Sequence, residues 1–255
     1  MGWNPSQYQL FSEARLRPAL DLLERIDLTE PRQLVDLGCG TGNVTERLAQ
    51  RWPGARLTGV DSSPAMLAEA RRRLPGVHWT EADLDGWVPV NAPDLIFSNA
   101  ALHWVGDHAR LFPRLLGMLR AGGVLAVQMP NNFDAPSHTV ITELAHHPAW
   151  RDRLGPLVRP SPVGRPEHYH DYLRAAAASI DLWETQYWQV LDGADPVKEW
   201  TKGTWLKPFL DALPPSEAAR FEADYADRMR AAYPAGTDGR TLFPFRRLFL
   251  VARAA

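Results

Sequence analysis

Apolar residues along the first half of the chain alternate between two rhythms. Compact apolar runs of strand type stand at Gln33–Leu37, Arg56–Asp61, Val77–Asp83, Asp94–Asn99 and Val124–Pro130. Between them, apolar residues recur at helical spacing. Leu16, Leu20 and Leu23 do so in Glu13–Arg25, and Met66, Leu67, Ala70 and Leu74 do so behind Ser63-Pro64. Leu111, Leu115 and Leu119 repeat it in Arg110–Arg120, which Gly122-Gly123 closes. Ser63 reads as an N-cap with proline at the first helical position. Strands alternating with helices predict a parallel, doubly wound α/β sheet.

The rhythm changes after Pro130. Residues 131–175 are rich in proline, with short helical pieces expected at Thr139–Ala145 and His168–Ala176. Ile180–Leu191 alternates like a strand. Val197–Leu213 and Ser216–Tyr233 read as helices, Phe221, Tyr225 and Met229 sharing a face of the second, and Arg247–Arg253 reads as a last strand. The connection between the last two strands is far longer than a hairpin needs. Residues 131–175 and 193–240 are therefore expected to form helical caps over the carboxyl ends of the strands. The expected organisation is an amino-terminal arm and helix (1–32), a core (33–130), a cap insertion (131–175) and closing strands (176–255) that carry a second cap insertion at 193–240. All of it is expected to form one compact domain.

Composition narrows the function. With 255 residues, 45% hydrophobic, the chain can bury a real core. A net charge of −2 without a long block of one sign argues against nucleic acid as a partner. No apolar run approaches the roughly 20 residues that span a bilayer. Cys39 is the only cysteine, which excludes an internal disulfide, and a cytoplasmic location is expected. A monomer is the default expectation. Ten tryptophans imply either an aromatic-lined pocket or a well-packed cap.

The chemistry gathers around Val35-Asp36-Leu37-Gly38-Cys39-Gly40-Thr41-Gly42-Asn43. A strand, a glycine turn and a helix N-terminus let a polar ligand lie against bare backbone. The spacing is G-x-G-x-G, whereas the nicotinamide fingerprint is G-x-G-x-x-G. Asp61 ends the second strand about 20 residues further on, where an acid accepts hydrogen bonds from ribose hydroxyls; its alternative is to cap the next helix. Cys39 has no catalytic partner nearby and reads as packing. The adjacent His146-His147 point about 100° apart on a helix and lack a matching acidic or cysteine partner, so no metal site is expected. Arg71-Arg72-Arg73 reads as a solvated helix face.

The order Asp36-x-Gly38-x-Gly40-x-Gly42, Asp61-Ser62, Ala82-Asp83-Leu84 and Asn99-Ala100-Ala101-Leu102-His103-Trp104 resembles the class I S-adenosylmethionine-dependent methyltransferases. That resemblance implies a Rossmann-like seven-stranded sheet, five parallel strands plus a terminal hairpin, with S-adenosyl-L-methionine as cofactor. It implies that Asp36, Gly38 and Gly40 hold the glycine loop and methionine end. Asp61 and Ser62 would meet the ribose, Asp83 and Leu84 the adenine, and Asn99 and Ala100 the methionine part. Trp3-Asn4-Pro5-Ser6-x-Tyr8, Ser62-Ser63-Pro64-Ala65-Met66 and Ala126-Val127-Gln128-Met129-Pro130 are more narrowly similar to the branch that esterifies a small polycarboxylic acid, with trans-aconitate the nominated acceptor.

A carboxylate acceptor is already anionic at pH 7, so no general base is expected. The site needs positioning groups and carboxylate clamps, for which arginine is suited. His103 and Trp104 are expected to position the acceptor. Trp3, Tyr8 and Arg15 from the arm, Asn131 after the fifth strand, and Arg246 and Arg247 at the last strand are the further substrate-binding candidates. One of those two arginines would enter the site while the other reaches solvent. Asn132 is offered alongside Asn131, both having turn formation as the alternative, and Lys207 reads as a solvated cap lysine. The competing functions are methylation of a different small-molecule or carrier-bound acceptor, and non-catalytic binding of S-adenosylmethionine.

Overall fold

The computed structural model describes the backbone from residue 12 and side chains from residue 16 to the end of the chain. The elements of the first half are α1 (Ser12–Glu24), β1 (Gln33–Leu37), α2 (Asn43–Arg51), β2 (Arg56–Asp61), α3 (Pro64–Arg73), β3 (His78–Glu81), β4 (Leu95–Asn99), a 3₁₀ turn (Leu102–Trp104), α4 (His108–Gly117) and β5 (Val124–Pro130). After them come α5 (Pro136–His146), α6 (Arg151–Leu154), α7 (Pro166–Leu173), β6 (Ala177–Leu191), α8 (Pro196–Lys202), α9 (Lys207–Asp211), α10 (Pro215–Ala232) and β7 (Thr241–Ala254).

The seven strands form one sheet in the order β3-β2-β1-β4-β5-β7-β6. β1 pairs in parallel with β2 and β4, β2 with β3 and β4 with β5, while β7 runs antiparallel to β5. The strand order reverses between β1 and β4, which makes the carboxyl ends of these two strands the topological switch point where such sheets bind ligands. β4 and β5 are buried along nearly their whole length, as expected of strands covered on both faces. Local chemistry sets the helix starts. The Ser63 hydroxyl accepts from the Met66 N–H ahead of Pro64, and the Asp107 carboxylate accepts from the Arg110 N–H to open α4.

The chain divides into two compact units. The sheet unit takes residues 15–130, 162–185 and 247–255. In it α7 packs on α4: Tyr169 is fully buried, 4.8 Å from Phe112 between ring centres. The second unit takes 131–161 and 186–246 and has its own aromatic core of Trp150, Trp200, Phe209, Phe221, Tyr225 and Phe243 among aliphatic residues. Trp150 and Trp200 are buried there, which favours the packing explanation for those two tryptophans.

Several boundaries differ from the sequence reading, three of them for a clear local reason. The single helix expected over Val197–Leu213 is two, because the chain turns at Gly203 and restarts with Pro208 in the first turn of α9. The last strand begins at Thr241 rather than Arg247, with Phe243 and Phe245 feeding the aromatic core. The third strand is shorter than Val77–Asp83, since Asp83 already accepts the N–H bonds of a turn to Gly86 and Trp87.

Candidate functional site

The glycine loop hangs on β2. The N–H groups of Gly38 and Cys39 both donate to the Val60 carbonyl, at 2.8 and 3.0 Å. Gly38 has φ +81°, and a Cβ there would lie 2.1 Å from the Ala101 Cβ, so the residue must be glycine. The space around Gly40 differs: among the described residues nothing lies within 4 Å of where its Cβ would be. A ligand therefore has access to bare backbone at Gly40. From behind, the loop is braced by Trp79, which belongs to a small buried cluster with Cys39, Leu67 and Ala70.

Asp61 ties this loop to the next helix. One carboxylate oxygen accepts from the Gly40 N–H at 2.9 Å and the other from the Ser63 N–H at 2.9 Å. Ser63, not Asp61, supplies the side-chain cap of α3. Asp61 is half-buried and Ser62 is exposed. Asp36 is buried and accepts from the Thr45 hydroxyl at 2.6 Å. Thr45 lies in the first turn of α2, so the contact ties β1 to that helix. Burial pushes the Asp36 carboxyl up to about 7, opposed by the Thr45 hydrogen bond and reinforced by the charge of Asp61. Burial and the same two carboxylates push the Cys39 thiol up, which suits packing rather than nucleophilic chemistry.

Asp83 is exposed, its carboxylate accepting from the Asp85 N–H at 3.0 Å, while Leu84 is half-buried with its Cδ1 3.5 Å from the Cβ position at Gly38. Arg114, which the sequence did not single out, fixes this segment by donating to the carbonyls of Trp87 and Leu84 at 2.7 and 3.1 Å. At the end of β4, Ala100 takes φ +52°, and its N–H donates to the Gln128 carbonyl at 2.9 Å. The Asn99 Oδ1 is buried with no hydrogen-bond partner among the described residues. An acceptor in that state beside the switch point fits an ammonium group of a bound ligand.

His103 is buried and its ring lies 4.6 Å from that of Trp104, which is exposed. Their turn is pinned by His108, whose Nε2 meets the Leu102 carbonyl at 3.0 Å and whose Nδ1 meets the Tyr169 hydroxyl at 2.8 Å. The carbonyl can only accept, so Nε2 carries the proton and Nδ1 accepts from tyrosine. Burial holds His108 below the usual histidine range.

The two arginines of the last strand differ sharply. Arg246, in the second unit, is partly exposed and already paired with Asp134 at 2.6 and 2.7 Å, and its Nε donates to the Asn131 carbonyl. Arg247, in the sheet unit, is 4% exposed and donates to the Gln128 Oε1 at 3.3 Å. Of the pair, Arg247 is the buried one. The Asn131 N–H donates to the Arg246 carbonyl at 2.9 Å, so the backbone of Asn131 holds its strand partner. Asn132 is buried, its oxygen accepting from the Arg246 N–H and its amide donating to Ser137. Lys207 pairs with Asp211 on the exposed face of α9. The expected roles of Trp3 and Tyr8 fall outside the described residues, as does the side chain of Arg15. No group of three or more histidine, cysteine, aspartate or glutamate side chains suited to a metal occurs among the described residues. No helix among them is long and apolar enough to cross a membrane. A cleft of about 820 Å³ opens at the opposite, amino ends of β1–β3, lined by Gln33, Thr58 and His78 among others, and carries none of the candidate ligand-binding residues named above.

Sequence reasoning missed Thr45, Trp79, Arg114 and Gln128. Gln128 was the most findable, being a lone polar side chain inside the apolar run Val124–Met129.

A seven-stranded sheet with an antiparallel β7, a glycine loop at the switch point and an acid on β2 define the class as Rossmann-like, S-adenosylmethionine-dependent methyltransferase. Residues 34–123 match the family described as a methyltransferase domain. In fold the chain resembles a putative sarcosine dimethylglycine methyltransferase from Galdieria sulphuraria, with a TM-score of 0.57 at 16% identity over 95% of this chain and 88% of that one. It also resembles the YcgJ protein of Bacillus subtilis, with a TM-score of 0.57 at 14% identity over 93% of this chain and 98% of that one. The sequence relatives are much nearer. A trans-aconitate 2-methyltransferase from Acidovorax sp. (strain JS42) is 47% identical over 99% of this chain and 98% of its own. One from Paracidovorax citrulli is 48% identical over 98% of each. The chain belongs to the trans-aconitate 2-methyltransferase family.

Proposed function

We propose that this protein moves the methyl group of S-adenosylmethionine to a carboxylate oxygen of trans-aconitate, giving a monomethyl ester. The observation that carries this reading is near-half identity along the full length of relatives bearing that name. The cofactor would be held by the open backbone at Gly40, by Asp61 and Ser62 at the ribose, by Asp83 and Leu84 at the adenine, and by Asn99 and Ala100 at the methionine end, with Asp36 and Gly38 fixing the loop. That cofactor supplies an electrophilic methyl group on a positively charged sulfur.

The work left to the chain is positioning. The acceptor carboxylate is ionised at neutral pH, so no side chain has to take a proton from it. His103 and Trp104 would set the acceptor's orientation, and Arg247 would neutralise a carboxylate that does not react. Asn131, Arg246, Trp3, Tyr8 and Arg15 remain secondary candidates, Arg246 the weaker arginine because Asp134 already occupies its guanidinium. Alignment of a bound nucleophile with the methyl group supplies most of the rate, and exclusion of water helps because charge is quenched as the bond forms. The protein acts as a monomer on a small molecule, in the cytoplasm and without nucleic acid. The test is a competition assay offering trans-aconitate, cis-aconitate, citrate and isocitrate together. The reading predicts selective esterification of trans-aconitate, and preference for any other acceptor overturns it.

A further inference from the structure

The carboxyl ends of β4 and β5, with the antiparallel stretch of β7 beside them, carry a second polar feature. Register sets Asn99 opposite Gln128, Gln128 opposite Phe249, and Pro130 opposite Arg247. Side chains alternate along a strand with period two, so Asn99, Gln128 and Arg247 leave the sheet on one face. Gln128 is 0% exposed, and its Nε2 has no hydrogen-bond partner among the described residues. Its Oε1 accepts from Arg247 at 3.3 Å. A guanidinium has no acceptor, so the amide oxygen must face it, and the amide nitrogen is left as an oriented donor beside a fixed positive charge. Phe249, the register neighbour on that face, stacks on Trp183 with ring centres 4.9 Å apart and planes within 8°, closing the side of the cluster with aromatic surface. An unpaired amide donor in such surroundings costs about 1–3 kcal/mol, a penalty that a ligand's acceptor would remove.

We propose that Gln128 and Arg247 form a carboxylate-binding pair, in which Gln128 holds the guanidinium in place and adds a neutral donor next to it. The pair rests on the methyl-transfer reading only for the identity of its ligand. A free carboxylate of the acceptor and the methionine carboxylate of the cofactor offer the same chemistry. Both are planar anions able to take one charged and one neutral N–H bond.

The experiment uses the full-length protein and its Gln128→Leu and Gln128→Glu variants. Calorimetry measures binding of S-adenosylhomocysteine and of 5′-methylthioadenosine, which lacks the amino-acid carboxylate. It also measures trans-aconitate binding to the S-adenosylhomocysteine complex, and steady-state rates give KM and kcat for trans-aconitate. Gln128→Leu removes one donor and is expected to weaken carboxylate binding about tenfold. Gln128→Glu places an internal anion against Arg247, so it should keep the fold while weakening the ligand about 30-fold or more. A purely structural role would reverse that order, since the new ion pair would stabilise the cluster. If the acceptor is the ligand, its KM and binding constant shift with kcat little changed and S-adenosylhomocysteine unaffected. If the cofactor is the ligand, S-adenosylhomocysteine weakens while 5′-methylthioadenosine does not. Either result supports the pair. Folded variants with all three affinities within twofold of the parent overturn it. Failure of the parent to bind or turn over trans-aconitate would remove the acceptor assignment, while the two adenosine ligands would still report on the pair.

Discussion

The two units differ in how far certain buried polar groups are satisfied. In the sheet unit, the carboxyl ends of the strands leave the Asn99 Oδ1 and Gln128 Nε2 without partners among the described residues, and bury the Asp36 carboxyl. In the second unit, Ser137 is tied down from several sides. Its carbonyl accepts from the Tyr225 hydroxyl at 2.8 Å, its N–H donates to the Tyr233 hydroxyl at 3.2 Å, and its hydroxyl meets His138 and Asn132. Tyr225 in turn meets Thr201 at 3.1 Å. Closed networks of this kind stabilise and specify a fold, whereas open ones mark places where a ligand completes the set. The contrast agrees with the proposal that the sheet unit binds the ligands.

The largest expected effect comes from Gly38→Ala. Its methyl would collide with Ala101 at a position of φ +81° that a side chain adopts only with strain. S-adenosylhomocysteine affinity should fall by about 100-fold or more, as calorimetry would show. Unchanged affinity would mean that this loop is not the ligand cradle.

A pH comparison sharpens the contrast. The folded Asp36 carboxyl sits near 7, above its ordinary 3.8, so the native state holds a proton that the unfolded chain releases. Its contribution to stability is therefore lost as pH rises from about 4 to 7. His138, buried against Phe133 and Trp205, is lowered to about 4 by burial, partly offset by Asp134. The native state there resists a proton that the unfolded chain accepts, so stability is lost as pH falls from about 6.5 to 4. Denaturant titrations should show Asp36→Asn gaining on the parent across the first window and His138→Phe gaining across the second. Each slope is on the order of a few kcal/mol over its window. Parallel curves for parent and variant would contradict the assignment.

Much of the sheet unit was legible in the sequence, and the rest was hidden for physical reasons. The glycine turn, the acid ending β2 and the strand–helix alternation are local patterns, and the structure places all of them as read. Which of the two arginines would serve as the proposed clamp was not legible. Arg246 and Arg247 are adjacent and identical in type, and only strand register reveals that one meets Asp134 and the other Gln128. The break at Gly203 was readable from a glycine followed closely by proline. The early start of β7 was not, because Phe243 and Phe245 are drawn into strand by packing against Trp200 and Tyr233. Pairing over long sequence separations overrides local propensity there.

Smaller effects should follow in the second unit. Tyr225→Phe removes the hydroxyl that links Ser137 and Thr201 and should cost about 1–2 kcal/mol of stability, read from denaturant midpoints. S-adenosylhomocysteine affinity should stay within twofold; a larger loss would break the separation of holding from binding. Arg246→Met should change stability by less than about 1 kcal/mol, because its pair with Asp134 is largely exposed. A large rise in the KM for trans-aconitate in that variant would move the clamp from Arg247 to Arg246.

The most direct test of the account is to follow transfer from S-adenosylmethionine carrying a ¹³C-labelled methyl group to trans-aconitate by NMR, with S-adenosylhomocysteine measured in the same sample. The account predicts one labelled methyl ester, on a single carboxylate, for every S-adenosylhomocysteine formed. S-adenosylhomocysteine without ester, label on carbon, or no transfer at all would contradict it.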